Sequence, residues 1–365
     1  MSNHPDKRNV SIQQVLAALL DNQNVFPPAY LRHFSDLEGA DLEALRSVWP
    51  QVNPTRRTNL LEDLENLAES DTLVYFDNVA TMALDDPEPR VRTVAIRLLW
   101  ETENPRLAPI LLKMLKKDSD SGVRAAAATG LGIFIYLGEL EEIPEDLHRR
   151  VEDNLLLVYA SQDEALVRRR ALESLGFSAR KEVTPLLRAA YENEDPDWVS
   201  SALFAMGRSA DETWGPEVIR MLRHPRTNVQ LEAIRAAGEL ALSSARRTLL
   251  QLLDDELYDS EIRAAIYWSL SQIGGDDIRE ILEEHLEQAE DEEEIAILED
   301  ALDNLTFTED VGLERLGMLG FDHLGEADQV VNEDMLDLEE EEADKEDDSS
   351  PNPGSSGKRS RRRHS

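Results

Sequence analysis

The sequence predicts an all-α superhelix, a solenoid of about seven helix pairs with a helical cap before it and a disordered, charge-segregated tail after it. Three observations lead there. A turn-and-helix pattern recurs at near-constant spacing through the middle of the chain. Each recurring helix carries an apolar stripe that one helix cannot bury alone. The composition also favours helix: 41% of residues are apolar and 5% aromatic, and much of the apolar share is Ala and Leu.

Residues 1–70 read as helical but outside the repeat. In SIQQVLAALL, Ser11 and Gln14 stand at capping-box spacing before an apolar stripe of Ile12, Val15, Leu16 and Leu19. DLEALRSVW and RTNLLEDLENLAE supply two further amphipathic helices. A stack of repeats needs an atypical end unit with one polar face, and this region is expected to be that cap.

Residues 71–305 hold the repeat. Its second helix opens on Val91, Val123, Val167, Trp198, Val229, Ile262 and Ile297, spaced by 32, 44, 31, 31, 33 and 35 residues. Four positions on come Ala95, Ala127, Ala171, Ala202, Ala233, Ile266 and Ala301. Eight positions on come Leu99, Leu131, Leu175, Met206, Ala237, Leu270 and Leu305, with Gly132, Gly176, Gly207 and Gly238 one step further. Offsets 0, 4 and 8 share one helical stripe, and the small residue at its middle admits a close neighbour. Before each anchor lies another amphipathic segment, such as APILLKML or VTPLLRAAY. Pro87, Pro89, Pro196 and Pro225 stand in the turns between the two helices, where a fixed φ stops one helix and presets the next. The 44-residue step contains an insertion, LGELEEIPEDL, expected to form a loop.

An acidic turn, Val-Arg, Ala four residues on and a closing Leu-Gly resemble HEAT repeats of the phycobilisome-lyase-like type over about residues 71–305. The resemblance implies a ladder in which a turn Asp and an Arg six residues later join neighbouring repeats. The matching positions are Asp86 with Arg92, Asp118 with Arg124 and, in shifted form, Asp163 with Arg169. The pattern fails at Trp198–Val199–Ser200 and at Val229–Gln230, so the ladder should break there.

Net charge is −37. Residues 326–348 hold thirteen Asp/Glu and one Lys, and the last seventeen residues hold five Lys/Arg, which leaves about −30 on the rest. So acidic a body disfavours nucleic acid and anionic membranes and favours basic partners. The segment 306–325 is expected to be weakly structured, and 326–365 a disordered acidic-then-basic tail. VLAALL and IFIYL are too short to span a bilayer. The absence of cysteine and of a leader-like apolar run fits a cytoplasmic protein, expected to be monomeric.

No catalytic constellation stands out. None of the seven His precedes a Glu, and HExxH is absent; the HEAT-like enzyme deoxyhypusine hydroxylase uses repeated His-Glu pairs to hold iron. GxGxxG, the P-loop and GxSxG are absent too, so no catalytic residue, metal or cofactor is assigned. Function is sought instead on the face opposite the core stripe, offsets 2, 6 and 9. Phe204, Trp268, Arg97 and Arg235 at offset 6, with Trp100 at offset 9, place aromatic and Arg residues where polar ones are expected. They are the candidate contacts of a protein or peptide partner, basic to match the body; packing between repeats is the competing reading. The expected function is a non-enzymatic interaction scaffold, the alternative a bilin-lyase-like attachment or assembly factor as the family resemblance implies.

Overall fold

The computed structural model describes residues 10–254, 260–275 and 277–318, with side chains up to residue 307. The expected tail at 326–365 lies outside the described residues, and the segment 306–325 is described only to 318, where it continues a helix. The chain divides into two units, residues 1–305 and 306–365. Among the described residues the regular structure is helical throughout, without a strand.

Three helices open the first unit: α1 (Ile12–Leu20), α2 (Gly39–Val48) and α3 (Pro54–Ser70). Ser11 caps α1 as its spacing predicts. Its hydroxyl accepts the Gln14 amide, and the Gln14 side chain accepts the Ser11 N–H at 3.0 Å. The repeat follows as α4 (Asp77–Ala83) with α5 (Pro89–Arg97), and α6 (Leu107–Lys117) with α7 (Ser121–Gly130). An extra helix, α8 (Gly132–Glu139), precedes α9 (Glu145–Tyr159) with α10 (Ala165–Leu175) and α11 (Val183–Tyr191) with α12 (Pro196–Arg208). The last pairs are α13 (Gly215–Met221) with α14 (Thr227–Glu239), α15 (Arg246–Leu253) with α16 (Ser260–Ile273), and α17 (Ile278–Gln288) with α18 (Glu292–Met318). Pro89 and Pro196 open α5 and α12, where a missing N–H costs nothing. Asp120 and Asp195 cap α7 and α12.

The insertion forms a short loop at 140–144, and its flanks extend two helices, α8 before it and the fifteen-residue α9 after it. Leu137, Ile143 and Leu147 pin it to the core, where they are buried from water. The run Ser121–Glu139 is apolar and as long as a membrane-crossing helix, yet half of it is buried inside the fold.

The anchors and their followers form the core. Val91, Ala95, Val123, Ala127, Leu131, Val167, Ala171 and Leu175 are completely buried, as are Ala202, Met206, Val229, Ala233 and Ala237. They belong to one continuous apolar cluster running from Val15 to Leu305. The closest approach falls at the recurring glycines rather than at the Ala row. A Cβ on Gly176 would lie 2.6 Å from the Ala205 carbonyl oxygen, on Gly207 3.1 Å from the Ala236 Cα, and on Gly238 2.8 Å from the Ser269 Cα. Each glycine therefore receives the offset-7 residue of the next repeat, which is small in every case: Ser174, Ala205, Ala236 and Ser269.

The ladder runs from one repeat to the next. Arg92 holds the Asp118 carboxylate with Nε at 2.9 Å and Nη2 at 2.7 Å, while its Nη1 donates to the Asp86 carbonyl at 2.7 Å. Arg124 does the same with Asp163, at 2.8 and 2.5 Å, and with the Asp118 carbonyl at 2.9 Å. Arg169 reaches Asp197 at 3.0 Å. Beyond it the pattern changes: Ser200 donates to the Asn228 carbonyl of the next repeat at 3.3 Å, and Gln230 donates to the Leu222 carbonyl within its own repeat at 2.9 Å. Arg263 resumes the ion pairing with Glu294 at 2.8 Å. Arg57 of α3 makes the same kind of bond to Asp86, at 3.0 Å and nearly fully buried. These pairs specify register between units; breaking a buried one leaves an uncompensated charge worth about 3–5 kcal/mol.

Candidate partner-binding groove

The second helices of successive repeats lie side by side, and their outward faces enclose a groove of about 930 Å³ from α3 to α12. Its floor is small and apolar. Ala125 and Ala126 of α7 leave room between the larger Ile96 and Ile133, because the tight α5–α7 and α7–α10 packing excludes bulk there. Trp100, 62% exposed, and Leu166, 39% exposed, present apolar surface at the groove. Exposed Glu69, Glu101 and Glu103 line the same groove.

Cations in the groove are held by carboxylates or rings. Arg97 grips Glu65 through two bonds of 2.7 and 2.5 Å. That pairing, reinforced by Glu62 and Glu69, holds the guanidinium even more firmly in its charged form. Arg170 pairs with Glu173 at 2.6 Å. Arg208 lies over Phe204 at 4.1 Å and Phe177 at 4.7 Å, a guanidinium seated against two rings. Burial works against its charge, and Glu239, Glu173 and Glu232 offset that loss. Next along the row, burial raises the Glu232 carboxyl above its ordinary range although Arg235 pairs with it at 3.1 Å.

The five residues singled out from sequence separate into two groups. Arg97 and Trp100 line the groove. Phe204 sits under Arg208, half-buried. Arg235 is engaged by Glu232 and, at 3.8 Å, by Glu261. Trp268, 37% exposed, lays one ring edge against the α14–α16 crossing: a Cβ on Gly238 would be 2.7 Å from its ring. Phe177, Arg170, Leu166 and Arg208 line the groove without having been picked out. Their offsets explain why. At about 100° per residue, the groove residues on and just after α5 centre on about 190° from the anchor, whereas those on and just after α10 and on α12 lie near 280°. Rotation from repeat to repeat moves the lining from offsets 2, 6 and 9 towards −1, 3 and 10.

Comparison with known proteins places this architecture. The model for HEAT repeats matches residues 77–153 and 215–303. No curated protein matches the chain in sequence. Among solved structures, the chain is similar to Escherichia coli YibA at 18% identity, covering 78% of this chain and 98% of that one with a TM-score of 0.40. It is also similar to the CpcE–CpcF complex of phycocyanin lyase from Nostoc sp. PCC7120, at 19% identity, 63% and 94% coverage and a TM-score of 0.42. Human deoxyhypusine hydroxylase matches at 17% identity, 72% and 95% coverage and a TM-score of 0.32.

Proposed function

For this HEAT-repeat chain we propose a non-enzymatic scaffold that holds a protein or peptide in the groove between α3 and α12. The occupant presents an apolar anchor to Trp100, Ile133, Leu166 and Phe177, with basic residues flanking it towards Glu69, Glu101 and Glu103. The observation that carries the reading is the exposed apolar surface of Trp100 and Leu166 in a groove that Glu69, Glu101 and Glu103 also line. Water gains nothing from Trp100 and Leu166, and burying them against a partner is worth about 25 cal/mol per Å². The negative body adds steering for a basic partner.

A displayed library of random peptides, selected against the full chain at physiological salt, tests this. Enrichment of peptides that join one or two large apolar residues to Lys or Arg supports the proposal. Binding of the enriched peptides should fall about tenfold or more with Trp100→Ala, the cost of losing a buried aromatic anchor. It should also fall with Glu101→Lys. Enrichment of acidic peptides, or binding that ignores both substitutions, would refute it.

A further inference from the structure

A second cluster lies off the groove, where α8 turns into α9. We propose that Glu139, His148 and Glu152 form a binding site for one divalent first-row transition cation, Zn²⁺ being the best fit. Nε2 of His148 faces two carboxylate oxygens, Oε1 of Glu139 and Oε1 of Glu152, at 3.7 Å each. The three ligand atoms lie within 4.8 Å of one another. Tetrahedral coordination with bonds of about 2.1 Å sets ligand atoms about 3.4 Å apart. The two His–Glu distances are close to that already, and Glu139 is the exposed member of the three.

Three features mark this as a built site. Nε2 of His148 is buried and has no hydrogen-bond partner, an expense that a bound cation would remove. The ring cannot swing away towards α8, because it lies flat on Gly138, where a Cβ would come within 2.2 Å of its Cγ. The two ligand oxygens are themselves held in place: the Ser178 hydroxyl donates to Oε1 of Glu152, and the Ala179 N–H donates to Oε1 of Glu139 at 2.8 Å. Such outer bonds fix ligand geometry at metal sites.

Charge balance points the same way. The nearest cation, Arg180, is taken up by Asp153 at 2.6 Å and Glu182 at 3.0 Å, and stands 3.8 Å from Glu152. Three carboxylates thus share one guanidinium. An imidazole with two carboxylates suits Zn²⁺, Mn²⁺ or Fe²⁺ better than Ca²⁺ or Mg²⁺, which prefer oxygen throughout. The bound ion would tie α8, α9 and the 177–182 turn together.

The test is calorimetric titration of chelator-stripped full chain with Zn²⁺, and of His148→Ala, Glu152→Gln and Gly138→Ala. Circular dichroism confirms that each variant is folded, and Glu139→Gln, at the exposed ligand, serves where a buried substitution unfolds the chain. Wild type should show one tight site above any weak background from the acidic surface. That site should weaken at least tenfold in every variant, Gly138→Ala included although it removes no ligand. Added Co²⁺ should give visible d–d bands that His148→Ala abolishes, and excess Ca²⁺ should not displace Zn²⁺. Zn²⁺ binding that is equal in wild type and His148→Ala, or no tighter than Ca²⁺, overturns the proposal.

Discussion

Gly176→Ala separates interlocking from helix propensity. Gly176 has helical backbone, φ −54 and ψ −32, so alanine is conformationally acceptable and by propensity alone adds about 1 kcal/mol. Its new methyl would sit 2.6 Å from the Ala205 carbonyl oxygen, 2.7 Å from the Ala205 Cα and 3.0 Å from the Ala205 Cβ. The first two are backbone atoms, so no side chain can yield. Relief requires α10 and α12 to part by about 0.7 Å or more, loosening the fully buried Leu203 and Met206. Overpacking against backbone belongs in the upper part of the usual range, about 2–3 kcal/mol, so the net loss should be about 1–2 kcal/mol. At about 2–4 °C per kcal/mol the melting temperature falls by about 2–8 °C. Gly215→Ala is the control: its methyl would meet only the Leu242 side chain at 3.4 Å, an ordinary contact. Thermal unfolding followed by circular dichroism at 222 nm reads both. A Gly176→Ala chain as stable as wild type would show that the repeats do not lock at their glycines.

Arg124→Ala should cost about 2–3 kcal/mol in urea unfolding, because it strips the Asp163 carboxylate and the Asp118 carbonyl of donors at once; an unchanged midpoint would mean the ladder is ornamental. Arg124→Lys should recover only part of this, since an ammonium cannot make the paired bond. The ladder is also pH-sensitive. The Arg124 bonds hold the Asp163 carboxyl below its ordinary value of 3.8, and Arg92 does so for Asp118 against the opposing effect of burial. Carboxyls lowered by folding stabilise above 3.8 and lose that contribution as pH falls below it. Asp163→Asn should therefore flatten the stability profile below pH 4, and an unaltered profile would contradict the pairing. Glu232 shows the opposite sign: burial raises it, so its charge is unfavourable at neutral pH. Glu232→Gln should leave the melting temperature unchanged or higher, and a marked fall would show that Arg235 outweighs burial.

The fold was legible because its signal is redundant. Anchor, Ala and Leu rows recur seven times, and each row is fully determined by a helical stripe packed on its neighbour. The Asp–Arg spacing made Arg92 and Arg124 legible in the same way. Arg57 was not, because α3 opens on Asn53-Pro54 without the acidic turn or valine anchor that mark the other rungs. The glycine row was visible, but what it receives was not: offset 7 carries a small residue without a type of its own. The groove was half legible. Arg97 and Trp100 fall where a straight stack predicts, whereas Phe177 and Arg208 depend on superhelical rotation that accumulates over several repeats. Glu139, His148 and Glu152 were illegible for another reason. His148 and Glu152 are four apart on one helix, an unremarkable spacing, and only the turn after α8 brings Glu139 to them.

Peptide affinity of Trp100→Ala set against that of Trp268→Ala tests where this protein holds its partner. Trp100 lies in the groove with 62% of its surface free, whereas Trp268, 37% exposed, rests on Gly238 at the α14–α16 crossing. Fluorescence anisotropy with the tightest library peptide should show binding lost in the first variant at an unchanged melting temperature, and kept in the second at a lowered one. The reverse pattern, binding intact without Trp100 and gone without Trp268, would move the site away from this groove.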